Sequence, residues 1–213
     1  MLLNFEELIE KYNLNIHGVI HIGAHYGQEH KIYKNTNIKN IVYFEPLLKS
    51  FEILKQNVKD DALLFNLALG CEKKEVEMFV EQNNMGQSSS ILEPHLHLQQ
   101  YPGILFDGKE IVKMEKLDNI NIVFENYNLI NIDVQGYELD VFCGAKKVLE
   151  KIDYIISEVN KVELYKNCTK VEELDNFLKT FGFDRVETFW AGNTWGDALY
   201  IKNNYGIQNT NSR

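Results

Sequence analysis

Residues 18–27, Gly18-Val19-Ile20-His21-Ile22-Gly23-Ala24-His25-Tyr26-Gly27, read as a short apolar strand that Gly23 and Gly27 break into a tight loop. The segment after Gly27 can start a helix, and Glu45-Pro46 closes the next apolar run, 40–45. A strand, a glycine loop and a helix in succession bring backbone N–H groups toward a ligand, and a carboxylate ending the next strand suits the two hydroxyls of a ribose. The unit therefore predicts a nucleoside-cofactor site. Its alternative is an ordinary βα turn without a ligand.

The spacing narrows the cofactor. The dinucleotide pattern is Gly-x-Gly-x-x-Gly, whose middle glycine lets backbone approach a pyrophosphate. Here Ala24 and His25 fill the interior of a Gly-x-x-x-Gly loop. S-adenosylmethionine carries no phosphate and asks only for room at its amino-acid and sulfonium end, so the loop favours a methyl donor over a nicotinamide or flavin.

Apolar runs and helical patterns then alternate. Strands are expected at 18–24, 40–45, 62–69, 129–134, 154–159, 185–190 and 197–202, and helices at 47–57, 137–149 and 171–181, after an N-terminal helix within 1–16. Such alternation implies a mostly parallel sheet covered on both faces. The last two strands are separated by only Ala191-Gly192-Asn193-Thr194-Trp195-Gly196, too short for a crossover, so they are expected to pair antiparallel. The connection 72–125 is much longer than usual: it holds an alternating stretch at 75–80, a polar turn-rich stretch at 83–90, and His95 and His97. It is read as an insertion forming a substrate lid on a single domain, with 203–213 a loose tail.

At 213 residues and 45% hydrophobic, the chain can bury one full α/β core. A net charge of −9 argues against nucleic acid or an anionic membrane as partner. Cys71, Cys143 and Cys168 are scattered and odd in number, which fits reduced packing residues in a cytoplasmic protein. No secretory signal or membrane-spanning run precedes them, and the sequon Asn167-Cys168-Thr169 carries no weight without one. Oligomeric state is left open.

These pieces together resemble the FkbM family of S-adenosylmethionine-dependent methyltransferases. The resemblance is carried by 19–27, by Tyr43-Phe44-Glu45-Pro46 with Phe51, by Ala68-Leu69-Gly70, by Leu117-Asp118, by 131–139 with Gly144-Ala145, and by Glu158. It implies a class I methyltransferase (Rossmann-like) three-layer fold with a seven-stranded sheet whose C-terminal strand is antiparallel. It also implies an O-methyltransferase acting on hydroxyls of sugars or glycans. Three positions depart from the family's usual residues: His21 stands in place of Asp, His25 in place of Asn, and Gln135 in place of Glu.

On this reading His21, Gly23, Ala24, His25, Gly27, Glu45, Pro46, Asp133 and Gln135 bind the cofactor. Methyl transfer to a hydroxyl needs alignment and one proton acceptor; Asp133 is the first candidate base, His95 the second and Glu158 the third. Ser88, Ser89, His95, His97, Tyr101, Trp190, Asn193 and Trp195 supply the flat faces and hydrogen bonds expected of a sugar subsite. His17, His21 and His25 recur every four residues, but that period aligns only on a helix, so a zinc face is not expected. Asp133, Glu158 and Asn160 are oxygen donors of the kind Mg²⁺ takes, an option left open and not favoured. Two other classes remain: a nicotinamide oxidoreductase, which lacks a Tyr-x-x-x-Lys pair here, and a binding or scaffold protein on a degenerate methyltransferase fold.

Overall fold

Strand β1 (Gly18–Ile22) is buried at all five positions, as a strand paired on both edges and covered on both faces must be. In the computed structural model, which describes residues 1–203, β1 pairs in parallel with β2 (Asn40–Phe44) and β7 (Leu129–Ile132). Helix α1 (Phe5–Tyr12) precedes β1, and between β1 and β7 lie, besides β2, α2 (His30–Asn35), α3 (Leu48–Val58), β3 (Leu63–Phe65), β4 (Ala68–Leu69), β5 (Lys74–Val80), α4 (Leu96–Gln100) and β6 (Gly108–Glu115). After β7 come α5 (Glu138–Cys143), α6 (Lys146–Leu149), β8 (Tyr154–Asn160), α7 (Val171–Lys179), β9 (Phe183–Ala191) and β10 (Trp195–Lys202). The sheet has seven strands in the order β3-β2-β1-β7-β8-β10-β9, with β10 antiparallel to both its neighbours.

Alternation along the strands makes the three layers. Ile20, Ile22, Val42, Phe44, Ile130 and Ile132 face Val141, Phe142, Leu174 and Leu178 of α5 and α7. Val19, Ile41, Tyr43, Leu129 and Ile156 face Leu8, Tyr33 and Leu54 of α1, α2 and α3. Each face of the sheet thus has its own helical cover.

Three elements differ from their sequence reading, each for a local reason. The apolar run 62–69 breaks at Asn66, whose Nδ2 donates to the carbonyls of Glu45 and Pro46, and the chain changes sheets there. The helical pattern 137–149 divides at Gly144, where an added Cβ would lie 2.0 Å from the Gly70 carbonyl oxygen, so backbone replaces a side chain at that contact. The long connection carries the strand expected at 75–80 as β5 and adds a second one, β6, that the sequence reading lacked. Its β5 and β6 join β4 in a second sheet of order β4-β6-β5, and Met78, Val112 and Met114 enter the main core. Residue 203 ends a turn, and the rest of the expected tail, 204–213, lies outside the described residues.

Candidate functional site

The strand order runs outward in both directions from β1 and β7, which makes the crevice beyond their carboxyl ends the switch point where open α/β sheets bind ligands. Gly23 leaves β1 at φ +77, and an added Cβ would lie 1.9 Å from the carbonyl oxygen of Asp133 at the end of β7. Only a glycine lets the two strand ends meet this closely.

Around that point lie two cavities. The larger, about 490 Å³, is lined by His21, Ala24, Glu158, Ser88, His97, Tyr101 and Trp195 among others. The smaller, about 60 Å³, is lined by Glu45, Pro46, Ser89, Leu69 and Tyr137 among others. Gly23, His25, Gln87, Asp133 and Gln135 line both.

The loop's N–H groups are turned inward. Gly23 and Ala24 both donate to the Phe44 carbonyl, at 2.9 and 3.0 Å, and Gly27 donates to Ala24 at 2.8 Å. His25 N–H donates to Glu45 Oε2 at 2.8 Å, and Leu47 N–H donates to Oε1 at 2.9 Å. This corrects the expectation of N–H groups offered to a ligand, because those of Gly23, Ala24 and His25 are spent on the end of β2 and that of Gly27 on the loop itself. Gly27 lines neither cavity; its missing Cβ makes room for Leu54 of α3, 2.6 Å from where that atom would stand. Burial pushes the Glu45 carboxyl up to about 7, against the pull of the two N–H groups it accepts from.

His21, buried on β1, stands in a chain of side chains. Asn131 Nδ2 donates to the Tyr33 hydroxyl oxygen at 2.5 Å, and that hydroxyl lies 3.2 Å from His21 Nδ1. Burial lowers the His21 pKa, so the ring is neutral at pH 7; with Nδ1 accepting from Tyr33, the network assigns its proton to Nε2. The residue presents a neutral ring to the larger cavity in place of a carboxylate.

Asp133 and Glu158, at the ends of β7 and β8, come together. Gln135 Nε2 donates to Asp133 Oδ1 at 2.7 Å and to Glu158 Oε2 at 2.6 Å. Burial, then the charges of Asp133, Glu138 and Asp197, hold the Glu158 carboxyl well above the usual carboxylate range. Asp197 faces Glu158 across the β10–β8 ladder.

The insertion contributes to both cavities. The buried Glu81 carboxylate accepts from the N–H groups of Asn84 and Gly86 and so shapes the turn at 84–86. That turn is latched to the glycine loop: His25 Nε2 lies 2.8 Å from the Met85 carbonyl and the Tyr26 hydroxyl donates to it at 3.1 Å. Ser88 lines the larger cavity, but Ser89, expected beside it, lines the smaller one, and its Oγ accepts from Glu81 N–H. On the far wall, Trp195 Nε1 donates to the Tyr101 hydroxyl at 2.8 Å. His97 is buried among Tyr101, Phe106 and Tyr165 with its Nδ1 unpartnered.

Three expected residues stay outside. His95 lines neither cavity; it precedes α4 with Nδ1 3.3 Å from the Glu163 carbonyl. Trp190 lies on β9 beneath the Lys161 ammonium, 3.9 Å from its ring centroid, because β10 separates β9 from β8. Asn193 is in the exposed β9–β10 turn. Asn160 is fully buried with an unpartnered amide and lines neither cavity, so it does not join Asp133 and Glu158 as a metal ligand would. Among the described residues no group of three or more His, Cys, Asp or Glu is placed to hold a metal ion, and no helix is long and apolar enough to cross a membrane. Sequence reading missed Glu29, Asn131, Asp197 and Gln87 as cavity residues. Asp197 had only a strand start to mark it, and its place opposite Glu158 depends on register.

Comparison with known proteins agrees with this geometry. The profile of the Methyltransferase FkbM domain matches residues 21–185. The chain is 28% identical over 174 residues to 2-O-methyltransferase NoeI of Sinorhizobium fredii (strain NBRC 101917 / NGR234), covering 76% of this chain and 71% of that one. Among solved structures, magnesium protoporphyrin IX methyltransferase (ChlM) from Synechocystis PCC 6803 with bound SAM superposes with a TM-score of 0.52 at 10% identity, over 92% of this chain and 75% of that one. The methyltransferase domain of bacterial-CtHen1-C does so with a TM-score of 0.52 at 10% identity, over 92% of this chain and 93% of that one. At such identities these two speak for the fold, which is that of class I methyltransferases. With the profile covering most of the chain and its motifs converging on one crevice, this protein belongs to the FkbM methyltransferase family.

Proposed function

We propose that this chain is an S-adenosylmethionine-dependent O-methyltransferase whose acceptor is a hydroxyl of a sugar or glycan. The observation that carries the reading is the pair of adjoining cavities, with Glu45 in the smaller and Asp133 at the boundary the two share.

The residues present fit the cofactor. Glu45 keeps acceptor capacity beyond the two N–H groups it already receives, as a ribose diol requires. The glycine loop, with the N–H groups of Gly23, Ala24, His25 and Gly27 engaged, is no anion cradle, which suits a cofactor without phosphates and disfavours a dinucleotide. Ala68 and Leu69, in the Ala-Leu-Gly piece of the family pattern, offer apolar surface beside Glu45. When bound, S-adenosylmethionine supplies a methyl group on a sulfonium, already activated for displacement.

The chain's task is then to orient the acceptor and take its proton. Asp133 faces both cavities and is the proton acceptor of this reading, while Glu158, whose pKa burial raises, serves as its hydrogen-bonded neighbour. Tyr101 and Trp195 give flat faces, and Ser88, His97 and Gln87 give polar contacts, a mixture matched to a sugar ring. The relative named as a 2-O-methyltransferase supports oxygen as the acceptor atom.

The test has two steps. Thermal shift with S-adenosylmethionine, S-adenosylhomocysteine and NAD should show stabilisation by the first two only. Transfer of labelled methyl from S-adenosylmethionine should then be seen to a panel of free and lipid-linked sugars. Stabilisation by NAD alone, or methyl transfer to a catechol but to no sugar, overturns the reading.

A further inference from the structure

We propose that Gln135 is a positioning residue: it clamps Asp133 and Glu158 as one carboxyl pair and ties that pair to the acceptor wall through Tyr165. The proposal rests on the methyltransferase reading above and adds to it a residue that holds the proton acceptor in place.

Four hydrogen bonds converge on this one residue. Its Nε2 donates to Asp133 Oδ1 and Glu158 Oε2, so its two amide hydrogens are used on two carboxyl groups. Its Oε1 lies 2.8 Å from the Tyr165 hydroxyl, which is also 2.8 Å from the Ser88 carbonyl and has one hydrogen for the two. Its backbone carbonyl accepts from Ser90 Oγ at 2.8 Å. Ser88 and Ser90 belong to the insertion, Tyr165 to the loop after β8 and Asp133 to the end of β7, so Gln135 joins three separate stretches of chain at the cavity.

The backbone supports the assignment. Gln135 is held at φ 55, in the left-handed region that a side chain of this length rarely adopts, and Gly136 follows at φ 96. A non-glycine kept there by its surroundings marks a place where geometry is imposed. The turn it forms returns Gly136 N–H and Val134 N–H to the Glu138 carboxylate, at 3.1 and 3.2 Å.

Among this chain's carboxyl groups, an uncharged amide suits the place where the family usually has Glu. Glu158, Glu138 and Asp197 already crowd Asp133, with His21, Tyr165 and the amino group of Met1 the other titratable groups that sense its charge. A glutamate at 135 would add another carboxylate between two, and like charges at hydrogen-bond distance cannot all ionise. The glutamine bridges them without charge, so Asp133 is oriented beside a Glu158 carboxyl that burial and neighbouring charges hold well above the usual carboxylate range.

The experiment follows the carboxyl groups directly. In carbon-13 carboxyl titration by NMR of the ligand-free protein, the Glu158 midpoint should move up by about one pH unit or more in Gln135→Glu. With a sugar that the wild type methylates, Gln135→Glu should lower kcat at least about thirtyfold at pH 7, with partial recovery at pH 9. The S-adenosylmethionine Kd should stay within about threefold, and so should the acceptor KM. Tyr165→Phe, which leaves the amide but cuts its link to the wall, should lower kcat about five- to tenfold with the same cofactor Kd. Unchanged titration and kcat in Gln135→Glu overturns the clamp, as does a loss confined to cofactor affinity. An unchanged kcat in Tyr165→Phe overturns the link to the wall. If the wild type methylates no sugar, the acceptor reading fails while the NMR titration still decides the role of Gln135.

Discussion

Glu45 Oε2 receives the backbone N–H of His25 at 2.8 Å, and this one contact joins the end of β2 to the glycine loop after β1. The same carboxylate receives Leu47 N–H through Oε1, so it caps the entrance of α3 as well. A residue expected to hold a ligand therefore also holds the loop and the helix that frame the ligand's cavity.

Glu45→Gln keeps one acceptor and turns the other into a donor facing an N–H. S-adenosylmethionine affinity should fall by about 1.5–3 kcal/mol, the scale of hydrogen bonds to charged groups. Isothermal titration calorimetry reads this directly, and an unchanged Kd removes Glu45 from the cofactor site.

Glu138, fully buried, has its carboxyl pushed up to about 7 from the ordinary 4.5, first by burial and further by the charge of Asp133. Between those values the folded state binds more protons than the unfolded one, so its contribution is full below pH 4.5 and is lost as pH rises through about 7. His21, His30 and His97, whose pKa values burial lowers, act in the opposite sense below 6.5, so wild type is compared with Glu138→Gln, where they cancel. The variant should gain on the wild type by up to about 3 kcal/mol between pH 4.5 and 8 in urea unfolding of the ligand-free protein. A difference that is flat across this range means that Glu138 ionises normally.

Gly23→Ala sets a Cβ against the Asp133 carbonyl at a positive φ, and should cost about 3 kcal/mol or more in the same unfolding experiment. Gly103→Ala meets nothing within 4 Å and should stay within about 0.5 kcal/mol. Equal effects at the two positions contradict the close approach at the switch point.

The turn at 84–86 is held by Glu81 from one side and by His25 and Tyr26 from the other. Replacing 83–90 by a Gly-Ser linker should weaken S-adenosylmethionine binding at least about tenfold as well as abolish turnover, because Gly86, Gln87 and Ser89 line the smaller cavity beside Glu45. Retention of full cofactor affinity would restore a purely acceptor-side role for this stretch.

His97→Phe keeps the packing among Tyr101, Phe106 and Tyr165 and removes the unpartnered Nδ1. The acceptor KM should rise about five- to thirtyfold with the cofactor Kd unchanged, the loss of one or two hydrogen bonds. Steady-state kinetics at saturating cofactor checks this, and an unchanged KM excludes His97 from acceptor contact.

The sequence by itself determined the parts whose signals are local. The alternation of apolar strands and amphipathic helices reached the seven-stranded sheet, and the short link between 185–190 and 197–202 reached its antiparallel pair. Gly23, Glu45 and Asp133 were legible as cavity residues because each stands where a strand ends, which is where open α/β sheets leave their crevice. What only the tertiary structure decided depends on register and on long-range packing. Of the insertion only 75–80 reads as a strand, the rest as polar turns and scattered histidines, yet β6 joins β5 and β4 to build a second sheet, which sends His97 into the larger cavity and leaves His95 outside. Asp197 meets Glu158 only through the β10–β8 register, where a shift of one residue would turn it to the opposite face. In sequence Gln135 is a Gln where the family usually has Glu; in the fold its amide lies between two carboxyl groups from different strands, a relation no window of sequence contains.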